Sequence, residues 1–176
     1  DLGTIYGEIN ALAFSADHRL LGLATDDNIT WVIDTVTGEE LNRISATAEG
    51  VHAIAFSEDG TRVATASRFD DYVTIWNVEE NHLQRTAATF KTGAVQLAYG
   101  DEDGLLAIGY DDGEIILRDE EEREIIARFS HFQSEVIGLE FGADSENLLS
   151  IGTDGSLLSW KIDTTAGKTV FYPDIE

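Results

Sequence analysis

The chain has 176 residues, of which 43% are hydrophobic, so it is long enough to bury a sizeable core. Its 34 acidic residues outnumber 11 basic ones, and the formal net charge of −23 disfavours direct binding to nucleic acid because phosphates are repelled. The absence of cysteine excludes disulfides, thiol catalysis and cysteine-ligated metals, and no apolar run approaches the ~20 residues of a membrane span.

Short β-prone runs, separated by turns rich in Asp and Gly, predict an all-β chain. One alternating run ends at Phe56 and is followed by the turn Asp59-Gly60 and two further strands. No segment shows the long 3.6-residue apolar period of an amphipathic helix. In chain order the expected strands are 9–14, 20–25, 29–34, 40–47, 51–56, 62–67, 72–78, 82–90, 95–99, 105–110, 115–118, 124–129, 136–141, 148–152, 157–162 and 169–172, with Pro173 ending the last one.

A unit of four strands recurs along the chain. An aromatic residue ends its first strand each time, at steps of 42, 43 and 42 residues: Phe14, Phe56, Tyr99 and Phe141. In the third strand, Trp76 is followed 42 residues later by Arg118 and 42 later again by Trp160. A four-stranded repeat of about 40–45 residues is the blade of a β-propeller, so we predict four blades, at about residues 1–47, 48–90, 91–131 and 132–176.

The second unit carries the most specific pattern. Its FSEDG at 56–60 and VTIWN at 73–77 resemble the WD-repeat (WD40) signature. The third unit has Arg118-Asp119 where Trp-Asp would stand, and the fourth ends its DGSLLSW run at Trp160. The resemblance covers nearly the whole chain, and it implies a WD-repeat β-propeller that serves as a scaffold for protein–protein interaction.

Two further functions remain open: an architectural or oligomerisation module that positions an effector domain, and an enzyme that uses the propeller channel. No cofactor or metal is expected, because the four histidines share no metal-ligand spacing and the sequence has no nucleotide-binding glycine loop. The paired acids fit turn chemistry, so we expect no enzyme. No secretory signal is visible, and a cytoplasmic location is favoured.

The resemblance also implies a structural chain of hydrogen bonds within a blade. It runs from a His before the first strand, through a Ser or Thr and a turn Asp, to the Trp of the third strand, so that buried polar groups satisfy one another. The matching residues are His131, Ser150, Asp154 and Trp160 in the fourth unit, and Thr65, Asp71 and Trp76 in the second.

Loops before the third strands carry most of the candidate partner-binding residues. The loop of the second unit is one residue longer than its counterparts, which presents Phe69 at a turn tip. In WD propellers these loops share a face with those that join successive blades, and aromatic rings and Arg are frequent interface anchors. The resemblance therefore implies a partner face of Arg68, Phe69, Asp70, Tyr110, Asp111, Phe132 and Glu135. The acidity of the chain suits basic partners, serves solubility, or does both.

Four blades are not expected to close into a ring on their own, because WD-type blades usually close at about seven or eight. By the repeat step Leu2 corresponds to Ile44, in mid-strand, so we expect the chain to begin inside a blade. Either two chains pair as half-rings by self-association, or the chain is a piece of a longer propeller, and the second outcome is favoured.

Overall fold

The computed structural model describes residues 5, 7–45, 50–78, 82–88, 91–100, 104–119, 124–130, 133–143, 145–163 and 170–174. For residues 82–88, 163 and 170–174 it describes the backbone alone. Within these ranges the regular secondary structure consists of β-strands, and no helix is present. The expected all-β fold class is confirmed.

The strands form four antiparallel sheets of four, and in each sheet they pair in chain order. We refer to the sheets as blades one to four. Blade one contains β1 (Ile9–Phe14), β2 (Leu20–Thr25), β3 (Ile29–Asp34) and β4 (Glu40–Ser45); blade two contains β5 (Ala53–Phe56), β6 (Arg62–Ala66), β7 (Tyr72–Asn77) and β8 (His82–Ala88); blade three contains β9 (Ala94–Tyr99), β10 (Leu105–Tyr110), β11 (Glu114–Asp119) and β12 (Glu124–Ser130); blade four contains β13 (Val136–Phe141), β14 (Asn147–Gly152), β15 (Leu157–Asp163) and β16 (Val170–Asp174). Two compact units, Asp1–Ala94 and Val95–Glu176, hold the first two blades and the last two, with β9 beginning at their boundary.

The last strand departs from the sequence-based prediction. Pro173 was expected to end it, but Pro173 pairs with Trp160 and the strand continues to Asp174. The prediction was wrong because β16 is the edge strand of blade four, and an edge strand tolerates a residue without a backbone N–H.

The core of the first unit lies between blades one and two. Its buried members include Ala24, Val32 and Ile44 from blade one and Ile54, Phe56 and Val63 from blade two. Gly22 permits the close approach, because a Cβ at that position would lie 2.5 Å from Ile54 Cδ1 and 2.9 Å from Phe56 Cε2. The repeated aromatic at the end of the first strand is therefore a packing residue in blade two. Gly22 of blade one leaves the space that its ring occupies.

The core of the second unit is built in the same way from blades three and four. Leu117 of β11 and Leu139 and Phe141 of β13 belong to one buried cluster with Trp160. The ring of Phe129 on β12 lies 4.5 Å from the ring of Trp160, tilted by 39°. The third-strand tryptophan thus joins the blade interface through its ring, as aromatic side chains do when they are well buried.

Candidate protein-interaction site

The loop between β6 and β7 holds the aromatic residue that the sequence placed at a turn tip. The side chain of Phe69 is 57% exposed, and its ring meets the ring of His52 edge-on, with centroids 5.7 Å apart. The loop backbone is fixed on both sides: Phe69 N donates to Ser67 Oγ (3.3 Å), Arg68 N donates to His52 Nδ1 (3.4 Å), and Gly93 N donates to Arg68 O (2.7 Å). The loop therefore presents an apolar ring to solvent from an ordered backbone.

The other candidate residues fall into different settings. Arg68 is half-buried and Asp70 is buried beside Phe69 in the first unit, whereas Asp111 and Glu135 are half-buried in the second unit. Phe132 lies outside the described residues. The candidate residues therefore divide between two separate units.

Tyr110 corrects the sequence-based prediction. It was expected in an exposed loop, but its side chain is fully buried, and it is the last residue of β10. As part of the strand it follows the pleat and is carried into the interior, so in this structure it presents no surface to a partner.

The hydrogen-bond chain implied for blade four is present in part. Trp160 Nε1 donates to Ser150 Oγ across 2.7 Å, and both side chains are buried. Asp154 lies in its own exposed turn, where its Oδ1 accepts the backbone N–H of Ser156 (2.9 Å) and its N–H donates to Ser134 Oγ (3.3 Å). The hydrogen bond from Ser156 holds the pKa of the Asp154 carboxyl below its ordinary value. His131 lies outside the described residues.

Blade two does not make the equivalent bond. Thr65 Oγ1 and Trp76 Nε1 are both buried, and among the described residues neither atom has a hydrogen-bond partner. Asp71, the expected turn member, is exposed, whereas Asp70 is buried and stands six residues before the tryptophan, as Asp154 does.

Two turns share a pattern of hydrogen bonds that was not predicted from the sequence, which indicated only that these segments are turns. In blade two, Ser57 Oγ donates to Asp59 Oδ1 (2.6 Å), and the same carboxylate oxygen accepts the N–H of Thr61 (3.0 Å). In blade one, Ser15 and Asp17 repeat this pattern, with a Ser-to-Asp bond of 2.7 Å. The spacing Ser-x-Asp at the end of a first strand is the signal, because a hydroxyl and a carboxylate two residues apart can close a tight turn.

Hydrogen bonds lower the pKa of the turn carboxyls. The backbone N–H of Arg19 lowers the pKa of Asp17, and the backbone N–H groups of Thr37 and Val36 lower the pKa of Asp34. At Asp59 partial burial acts in the opposite direction, but hydrogen bonds from Ser57 and Thr61 outweigh it and the pKa is lowered.

The described ranges hold no assembled metal site. Across those residues, no group of three or more acidic or histidine side chains is arranged to hold a metal ion. The same part of the chain contains no helix long and apolar enough to cross a membrane.

Comparison with known proteins identifies the repeat. The family model described as WD domain, G-beta repeat, matches residues 38–77. A WD repeat-containing protein 91 homolog from Dictyostelium discoideum is 29% identical over 177 aligned positions, which cover 95% of this chain and 23% of that protein. These matches confirm the WD-repeat resemblance.

Solved structures support the same fold. The structure of U3-55K superimposes with a TM-score of 0.84 at 19% identity, covering 97% of this chain and 53% of that one. The crystal structure of RRP9 WD40 repeats gives a TM-score of 0.84 at 19% identity, covering 97% and 52%. The chain thus has the WD40 propeller fold and spans about half the length of these structures and less than a quarter of its curated relative.

Proposed function

We propose that this set of WD-repeat blades is a non-enzymatic scaffold for protein–protein interaction, and that the β6–β7 loop is one of its contact points. WD40 proteins generally have this role. The observation that carries the proposal for this chain is the exposed ring of Phe69 on a loop whose backbone is held by hydrogen bonds.

The geometry of the loop suits an interface anchor. Aromatic residues are enriched among the residues that dominate binding energy, and a buried interface aromatic is worth about 2 kcal/mol or more on truncation. Because the Phe69 loop is already ordered by its contacts with His52 and Ser67, little further ordering is needed when a partner binds. Arg68 and Asp70 adjoin the ring, and we keep them as proposed members of the contact.

The charge of the chain bears on the kind of partner. A net charge of −23 raises the association rate with proteins that present basic surfaces, through long-range attraction that salt weakens. Asp111 and Glu135, in the second unit, are proposed to add to this attraction.

The test is a comparison of two alanine variants in quantitative capture from a lysate of the source. Phe69→Ala removes the proposed anchor, and Val36→Ala removes an apolar side chain that is 78% exposed in the β3–β4 turn. We expect at least one partner to be depleted tenfold or more by Phe69→Ala and retained by Val36→Ala. Identical sets of captured proteins from both variants and the parent chain would contradict the proposal.

A second role, assembly through blade faces, has its own supporting observation. Leu12 and Phe14 of blade one are exposed on the first strand. Blade four exposes a larger apolar set: Ile137, Leu149, Ile151 and Leu157. Contiguous exposed apolar side chains mark surfaces that pack against something else. We therefore propose that further blades, from a second copy or from another part of a longer chain, cover these faces.

A further inference from the structure

A groove in the first unit lies at the opposite ends of the strands from the Phe69 loop. Its cavity has a volume of about 530 Å³ and opens between blades one and two, beside the turns that contain Asp17 and Asp59. These turns precede β2 and β6, whereas Phe69 follows β6. The groove is thus a separate surface from the proposed Phe69 contact.

Carboxylates dominate the charge of this groove. Asp17, Asp34 and Asp59 line it, and Arg19 is the cation among its lining residues. Arg19 Nη2 lies 3.8 Å from Asp34 Oδ2, and the Arg19 side chain is 68% exposed. The Asp34 side chain is only 13% exposed, whereas Asp17 and Asp59 are exposed, so the carboxylates accessible to an incoming cation are those of Asp17 and Asp59.

Apolar side chains also line the groove. Leu41 is 46% exposed, and Leu20 and Val78 are half-buried beside it. Asn42 Nδ2 donates to Val78 O across 2.9 Å, which ties blade one to the residue that follows β7. The groove therefore combines the exposed apolar side chain of Leu41 with the exposed carboxylates of Asp17 and Asp59.

We propose that this groove binds an extended segment of a partner protein in which an arginine is flanked by apolar residues. The guanidinium would pair with the exposed carboxylates of Asp17 and Asp59, and it can contact a carboxylate through two N–H groups at once. The apolar neighbours would rest on Leu41 and Leu20. A volume of about 530 Å³ lies in the range of small-molecule pockets, so the groove admits a few side chains of such a segment. The inference rests on the proposed scaffold function and deepens it by naming a partner class. It concerns a different surface, so a failure of binding in the groove would leave the proposed Phe69 contact unaffected.

Binding of three short peptides measures the chemistry of the groove. The probe is fluorescein-labelled LRLRL, followed by fluorescence polarisation at 0.15 M NaCl, and its controls replace both arginines by citrulline or by glutamate. We expect saturable binding of the arginine peptide, at least tenfold weaker binding of the citrulline peptide, and none of the glutamate peptide. Equal binding of the arginine and citrulline peptides, or no binding of the arginine peptide, would overturn the proposal.

Charge-matched variants locate the binding. Asp17→Asn with Asp59→Asn removes two groove charges, and Glu124→Gln with Glu140→Gln removes two exposed charges in the second unit. We expect the groove pair to lose at least tenfold in affinity and the control pair less than twofold. Equal losses would assign the binding to general attraction by the net charge and overturn the proposal.

A third variant leaves the turns intact. Leu41→Ser shortens an exposed apolar side chain that lines the groove, and circular dichroism checks that each variant is folded. We expect at least a threefold loss of affinity for LRLRL from Leu41→Ser. If the folded Leu41→Ser variant binds as tightly as the parent chain, the peptide lies elsewhere. The proposal then fails, whatever affinity the variant with Asp17→Asn and Asp59→Asn shows.

Discussion

At the residue scale, two tryptophans at equivalent positions have different polar surroundings. Trp76 pairs across the sheet with Val63, and Trp160 pairs with Leu148. Thr65 and Ser150 each stand two residues beyond those partners, yet the indole N–H donates to Ser150 and not to Thr65. The same WD-repeat sequence pattern therefore occurs both with and without a hydrogen bond from the tryptophan to the hydroxyl of the second strand.

A matched pair of substitutions follows from this difference. Ser150→Ala removes the buried hydrogen bond from Trp160 Nε1 to Ser150 Oγ, so we expect a loss of about 1–3 kcal/mol in the free energy of unfolding. Thr65→Val removes a buried hydroxyl that has no hydrogen-bond partner among the described residues, and we expect a change within about 1 kcal/mol or a gain in stability. Urea unfolding of the two variants measures both values, and a larger loss from Thr65→Val than from Ser150→Ala would contradict the assignment.

The turn carboxyl of Asp154 makes a prediction about pH. Its pKa is lowered in the folded chain by the hydrogen bond from Ser156, so the stabilising contribution is present above the unfolded pKa, about 3.9. That contribution is lost as the pH falls through the lower, folded pKa. We expect Asp154→Asn to lose less stability between pH 6 and pH 3 than the parent chain does.

Thermal unfolding at the two pH values provides the measurement. Glu140→Gln changes the net charge equally at an exposed strand position, and the difference between the two variants isolates the turn. Parallel pH profiles for Asp154→Asn and Glu140→Gln would show that the turn makes no such contribution.

At the element scale, the fit of one blade against the next depends on small residues. Gly22→Ala would place a methyl group 2.5 Å from Ile54 Cδ1, so we expect overpacking to lower the free energy of unfolding by about 1–3 kcal/mol. Gly138→Ala is the control, because its nearest neighbour is Ile151 Cδ1 at 3.3 Å, the far end of a partly exposed side chain that can move.

A double substitution tests whether the blade contact is the cause. Ile54→Val removes the Cδ1 atom that the new methyl group would meet. We expect Gly22→Ala in the Ile54→Val background to be less destabilising than in the parent chain, as measured by denaturant unfolding. If the effects of the two substitutions on the free energy of unfolding are additive, the destabilisation by Gly22→Ala does not arise from this contact.

The strands were predictable from local sequence because each depends on alternation and on a turn with Asp and Gly beside it. The features that failed depend on pairing across the sheet. Pro173 remains in a strand because that strand is an edge, and Tyr110 is buried because it ends β10 before the loop begins. The exposed position of Phe69 was predictable, since one extra loop residue lengthens the turn that carries it.

At the scale of the whole molecule, the apolar residues left in contact with solvent are the most informative feature. Blade one exposes Leu12 and Phe14, and blade four exposes Ile137, Ile151 and Leu157 among others. In the sequence these positions look like core positions, because they follow the same alternation as the buried strands. The sequence therefore predicts burial for all of these positions. Which of them are exposed in the structure depends on which blades are present to cover them.

The central claim is that these residues form propeller blades with faces that need further blades, and light scattering tests it most directly. The measurement is the molar mass of the purified 176-residue chain across a range of concentrations. We predict a clean dimer, or self-association that grows with concentration, and a shift toward smaller species when Leu12 and Phe14 are both replaced by Gln. A stable monomer of 19.3 kDa at all concentrations, with a single cooperative thermal transition, would contradict the claim.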